Sequence, residues 1–109
     1  MAIVANLSID QGSTFSAGLT ISSSAMIPFD LTGYSATSQI RKTYSSSVAQ
    51  TFTCAINLPN QGIVELLLTD EQTAVLKPGR YVYDVILDKG GVIYRAIEGI
   101  ITVNPSVTR

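Results

Sequence analysis

The sequence predicts an all-β protein: an antiparallel β-sandwich of about seven strands with one short helical turn near 70–76. Three observations predict it. Short runs rich in Val, Ile, Thr and Tyr recur along the chain, and these residues suit a pleated surface. Gly, Pro, Asn and Ser clusters punctuate the runs at close intervals, with the chemistry of tight turns. The runs fall at about 2–9, 13–22, 34–43, 48–57, 62–68, 80–88 and 92–103 of 109 residues, spread evenly over a length that suits one domain, 1–109.

The first run alternates Ile3, Ala5, Leu7 and Ile9 against Asn6, Ser8 and Asp10, the period of a half-buried strand. It has neither a basic start nor a long apolar stretch, so it does not read as a signal peptide. Turns are expected at Asp10-Gln11-Gly12, Pro28–Gly33, Tyr44–Ser47, Pro59–Gly62, Lys77-Pro78-Gly79 and Lys89-Gly90-Gly91. Cys54 lies in the alternating run Thr51–Ile56 and reads as a small buried hydrophobe. As the single cysteine it excludes an intrachain disulfide, which fits synthesis in a reducing compartment. Thr69-Asp70-Glu71 reads as a capped helix start, and Pro78 stops the helix after one or two turns.

The segment Gly79-Arg80-Tyr81-Val82-Tyr83 follows that turn directly. An immunoglobulin-type sandwich carries a tyrosine near the start of its strand F, two residues before the second core cysteine. Tyr81 fits that corner tyrosine, and Tyr83 then stands where the cysteine usually is; the rival reading is two ordinary strand tyrosines. A hairpin turning on Lys89-Gly90 sets Asp88 opposite Gly91, Asp84 opposite Arg95 and Tyr83 opposite Ala96, with the opposed charges favouring that register. One face then carries Tyr81, Tyr83, Val85, Leu87, Val92 and Tyr94 toward the core. The other carries Val82, Ile86, Ile93 and Ile97 around Asp84 and Arg95. A face that met only water would be polar. The four aliphatic side chains read either as a contact surface, as strand propensity alone, or as a floor for overlying loops.

Composition narrows the function classes. Charged residues make up 14% of the chain and apolar residues 46%, with a mean hydropathy of +0.31 and a net charge of −1. Disorder is excluded by this balance. No basic surplus favours nucleic acid, and no apolar run is long enough to span a membrane as a helix. There is no histidine, so the commonest general base and imidazole ligands are missing. The carboxylates are scattered, Gly90-Gly91 opens no helix, and no calcium-loop spacing occurs. The expectation is a protein that is not an enzyme and takes no cofactor or metal.

Several stretches resemble a known family. Met1-Ala2-Ile3-Val4-Ala5-Asn6-Leu7-Ser8-Ile9-Asp10-Gln11-Gly12-Ser13-Thr14-Phe15 resembles the opening of small virion structural proteins of tailed phages, especially contractile-tailed cyanophages. Phe29-Asp30-Leu31-Thr32-Gly33-Tyr34 and Gln39-Ile40-Arg41-Lys42 resemble their central strands. Lys77-Pro78-Gly79-Arg80-Tyr81-Val82-Tyr83-Asp84, Glu98-Gly99 and Thr102–Thr108 resemble their ending. The Asp-Leu-Thr-Gly and Pro-Gly-Arg-Tyr motifs are also similar to the immunoglobulin-like N-terminal domain of phage baseplate upper proteins. The resemblance implies a non-enzymatic virion component, made in the host bacterial cytoplasm and present in many copies. Its implied partners are other virion proteins: the major capsid protein if it decorates the capsid, or neck, tail and baseplate proteins if it is an adaptor. Within it, Gly33 and Gly79 take tight turns, Leu31 plugs the core and Tyr81 makes the corner. A module that binds a host surface is the other class, though the chain lacks Trp and clustered amide or acidic groups to hold a sugar.

Overall fold

A computed structural model describes residues 3–21, 31–46, 49–56 and 62–107. The expected turns at Pro28–Asp30 and Pro59–Gln61 lie outside the described residues, as do Met1, Ala2, Thr108 and Arg109. All seven expected strand runs are present, two of them divided. The strands are β1 (Ile3–Val4), β2 (Leu7–Asp10), β3 (Phe15–Thr20), β4 (Ser35–Arg41), β5 (Ala49–Thr51), β6 (Thr53–Ala55), β7 (Ile63–Leu68), β8 (Gly79–Lys89) and β9 (Val92–Asn104), with one helix, α1 (Asp70–Ala74).

They form two sheets packed as a sandwich. The larger has the order β1-β9-β8-β4-β5, with β2 following β1 along the same edge of β9; the smaller has the order β3-β7-β6. Apart from β1 and β2, the order β9-β8-β4 against β3-β7-β6 is that of an immunoglobulin-type sandwich. One departure from the expectation is that the sheet is not wholly antiparallel. β1 and β2 run parallel to β9, pairing Ile3 with Ile97 and Leu7 with Ile101. The turn after β2 leads the chain into the other sheet, so the first strands pair with the last one instead of forming a hairpin.

The inner faces bury Ile9, Leu31, Ile40, Val64, Leu66, Leu68, Val85, Leu87, Ile101 and Val103. Phe52 is the point where one strand run changes sheets. Its N–H still bonds the Ser38 carbonyl of β4 at 3.0 Å, while the next residue, Thr53, pairs with Leu67 of β7. The buried Phe52 ring meets Phe15 at 5.9 Å and Tyr83, edge-on, at 6.4 Å between ring centres. Such offset contacts are the favoured aromatic geometries. This trio joins the sheets where an immunoglobulin domain has its disulfide. Cys54 takes no part in that role: it is half-buried and free, and burial pushes its thiol pKa up.

α1 begins with a capping box. The Thr69 hydroxyl accepts from the Gln72 N–H, and the Gln72 side chain accepts from the Thr69 N–H. The buried Thr73 hydroxyl donates to the Ser13 carbonyl at 2.8 Å and accepts from the Gly12 N–H at 3.0 Å. Gln11 donates to the Leu76 carbonyl at 2.9 Å. These bonds fix the helix against the β2–β3 turn and aim the chain into β8. There the Tyr81 hydroxyl donates to the Lys77 carbonyl at 2.7 Å, the tyrosine-corner bond. Leu31 is buried and Gly33 has φ +83°, as the turn before β4 requires.

Candidate interaction surface

The outward face of the larger sheet is assembled by the pairing of β4, β8 and β9. Thr37, Ile86 and Arg95 lie in one row across the three strands. Arg41, Val82 and Ile100 form a second row, and Gln39, Asp84 and Glu98 a third, which Val4 of β1 extends. The result is a stripe with a charged centre and apolar flanks. At the centre, Arg95 Nε lies 3.6 Å from Asp84 Oδ2, and Arg95 Nη1 lies 3.6 Å from Glu98 Oε2. Both contacts are solvent-accessible, so they orient the side chains more than they stabilise the fold. Flanking them, Ile93 is 63% exposed, Val4 68% and Ile100 42%, with Val82 and Ile86 half-buried. An open depression of about 360 Å³ runs beside the ion pairs, lined by Gln39, Arg41, Tyr44, Val82, Asp84 and Arg95.

Three of the four aliphatic residues expected on this face are there: Val82, Ile86 and Ile93. Ile97 is not. It is 1% exposed and belongs to the core, opposite Val85 and Ile3. The cause is the register of the β8–β9 hairpin. The turn falls on Gly90-Gly91, with φ +59° and +90°, and Lys89 pairs with Val92. A two-residue hairpin of this type needs positive φ at both central positions, which two glycines adopt without strain and Lys89 does not. Moving the turn by one residue preserves which faces the flanking residues occupy. A bulge between Val85 and Ile86 then inserts one extra residue on β9, and every side chain beyond it changes face. Ile97 turns inward and Ile100 outward.

The same shift corrects two further expectations. Asp84 and Arg95 are not directly opposed: Arg95 faces Ile86, Asp84 faces Glu98, and the ion pair forms on the diagonal. Tyr83 faces Gly99 instead of Ala96. Val92 and Tyr94, expected in the core, are exposed near the hairpin tip, where the Tyr94 ring lies tilted against Tyr34 with 6.5 Å between ring centres. Val4, Tyr44 and Ile100 joined the surface without having been singled out. The outward parity of Val4 was readable from the alternation of the first run; that of Ile100 depends on the bulge.

No family model matches the chain, and no curated protein matches it. Among solved structures, the crystal structure of InlP from Listeria monocytogenes is similar with a TM-score of 0.51 at 16% identity, covering 92% of this chain and 26% of that one. The chain spans about a quarter of the length of the Listeria protein. At this identity the likeness is one of fold: it shows the β-sandwich.

Proposed function

We propose that this chain is a non-enzymatic virion structural protein of a tailed phage, a capsid decoration protein or another assembly subunit, acting through protein–protein contacts. The family resemblance supports the virion setting. The observation that carries the mode of action is the outward stripe of the larger sheet, where Val4, Ile93 and Ile100 are exposed around an ordered charge cluster. An apolar rim with oriented charges suits a face that is covered on assembly, since the aliphatic part supplies burial and the charges set register. A neck, tail or baseplate adaptor would use the same face against a different neighbour. A map of the assembled particle separates these placements.

The test replaces Ile93 and Ile100 by Lys together. Both side chains are exposed, so the variant is expected to keep its unfolding midpoint. Incorporation into particles, read as copies per particle, is expected to fall about tenfold or more, the equivalent of losing roughly 1.4 kcal/mol of contact. Normal incorporation of the folded variant would overturn the proposal for this face. Ile97 is unsuitable for such a test, because a lysine there is an unpaired charge in the core.

A further inference from the structure

β3 is an edge strand: it pairs with β7 through Phe15–Leu68 to Thr20–Ile63, and among the described residues no strand pairs with its other side. In a constant-type immunoglobulin sandwich the first strand would flank this edge. Here β1 and β2 pair with β9 in the other sheet instead. Half of the backbone N–H and C=O groups of β3 therefore face away from β7.

Two features mark this edge as one to be covered. Natural edges are blunted by Lys, Pro, bulges or shortness; β3 has six residues in unbroken register and no charge or proline. In addition, its inward residues Phe15, Ala17 and Leu19 are only half-buried, whereas the residues they face in β7, Leu68, Leu66 and Val64, are fully buried. Among the described residues, the edge of the core is open along this strand.

We propose that β3 is a homotypic docking site, at which a second copy of this chain adds by antiparallel pairing of two β3 strands about a two-fold axis at Gly18. That register sets Ser16 opposite Thr20 of the second copy on the outer face, a favourable hydroxyl pair. On the inner face it sets Ala17 opposite Leu19 and Phe15 opposite Ile21, which covers the half-buried residues of both copies. Gly18 on the axis adds no side chain. With no charge on the strand, self-pairing opposes no like charges, and self-complementarity of this kind is what a two-fold interface requires. A foreign strand would have to match the pattern; a second copy matches it by construction. The site is on the opposite sheet from the stripe proposed to contact other virion proteins, so the two proposals stand or fall separately.

Sedimentation velocity of the purified chain over a concentration series tests it. A reversible monomer–dimer equilibrium is expected. The variant Ser16→Lys with Thr20→Lys opposes lysines twice across the axis, and is expected to weaken dimerisation about tenfold. Both side chains are exposed in the monomer, so folding is retained. The corresponding Ser16→Glu with Thr20→Glu chain is likewise expected to self-associate poorly, and an equal mixture of the two variants to dimerise again. A native chain that remains monomeric would overturn the proposal, even if it captured a foreign strand. So would a dimer that the lysine variant leaves unweakened, or a mixture that fails to recover.

Discussion

Tyr81 and Tyr83 stand two residues apart on β8 and point to the same side, yet their hydroxyls hold different parts of the molecule. Tyr81 donates to Lys77, four residues back, and the Lys42 ammonium lies 4.9 Å from its ring centre. Tyr83 donates to the carbonyl of Ala5, 78 residues away. The first bond was legible in the sequence, because a corner is a local relation between a turn and the strand that follows it. The second was not, because nothing near Tyr83 encodes where Ala5 arrives. Replacing Tyr81 by Phe removes one hydroxyl from a partly exposed bond, and is expected to lower stability by about 1 kcal/mol. The check is a lower urea midpoint at an unchanged slope; an unchanged midpoint would deny the corner a stabilising role.

At the scale of elements, the division between β1 and β2 is the departure with the clearest cause. The chain runs on along the same edge of β9 at Ala5-Asn6, but regular pairing lapses there. Ala5 N–H bonds the Glu98 carbonyl at 2.9 Å, and the Asn6 side chain accepts from Ile100 N–H at 3.0 Å. The backbone comes so close to Gly99 that a Cβ there would run into the Ala5 carbonyl oxygen. Gly99→Ala is therefore expected to push the Ala5-Asn6 segment off β9 and to cost about 2 kcal/mol or more, since a rigid backbone cannot yield to the added carbon. Hydrogen exchange gives a local check: the Ala5 and Ile100 amides should lose protection before those of β8. Full protection in the variant would show that the close approach at Gly99 tolerates a side chain. Alternation found the strand but not its break. The sequence likewise placed the β8–β9 hairpin but not its bulge, because Val85, Ile86 and Ala96 include no glycine or other local signal of one. This is why Val82, Ile86 and Ile93 were placed correctly and Ile97 was not: of the four, only Ile97 follows the extra residue on β9.

For the whole molecule, the fold class was readable and the surface only in part. Strand propensity and turn chemistry repeat often enough to specify a sandwich. Which edge remains open depends on the choice of β1 and β2 between two sheets, and that choice is made by long-range packing. The shortage of charge also has a thermodynamic side. Among the described residues, the two groups with displaced pKa values are both raised by burial: Cys54, and Tyr83, pushed up from 10.0 to about 12. Each is neutral when protonated, so the folded state keeps a proton that the unfolded chain releases. The stability Tyr83 contributes is full below pH 10 and is lost as pH rises toward 12. The thermal midpoint is expected to fall across that window. Tyr83→Phe should flatten the descent while lowering the midpoint at neutral pH through its lost bond to Ala5. An equally steep descent in the variant would assign it to other groups.

The parallel ladder of β1 and β2 with β9 has a mechanical meaning as well as a topological one. A pull that separates the start of β1 from the end of β9 slides the two strands lengthwise past each other. Their hydrogen bonds are then loaded side by side, in shear, whereas a hairpin pulled from its open end gives up one bond after another. The close approach of Ala5 to Gly99 and the hydroxyl of Tyr83 clamp the middle of that ladder. Tension carried through the first and last strands thus meets the molecule in its most resistant direction.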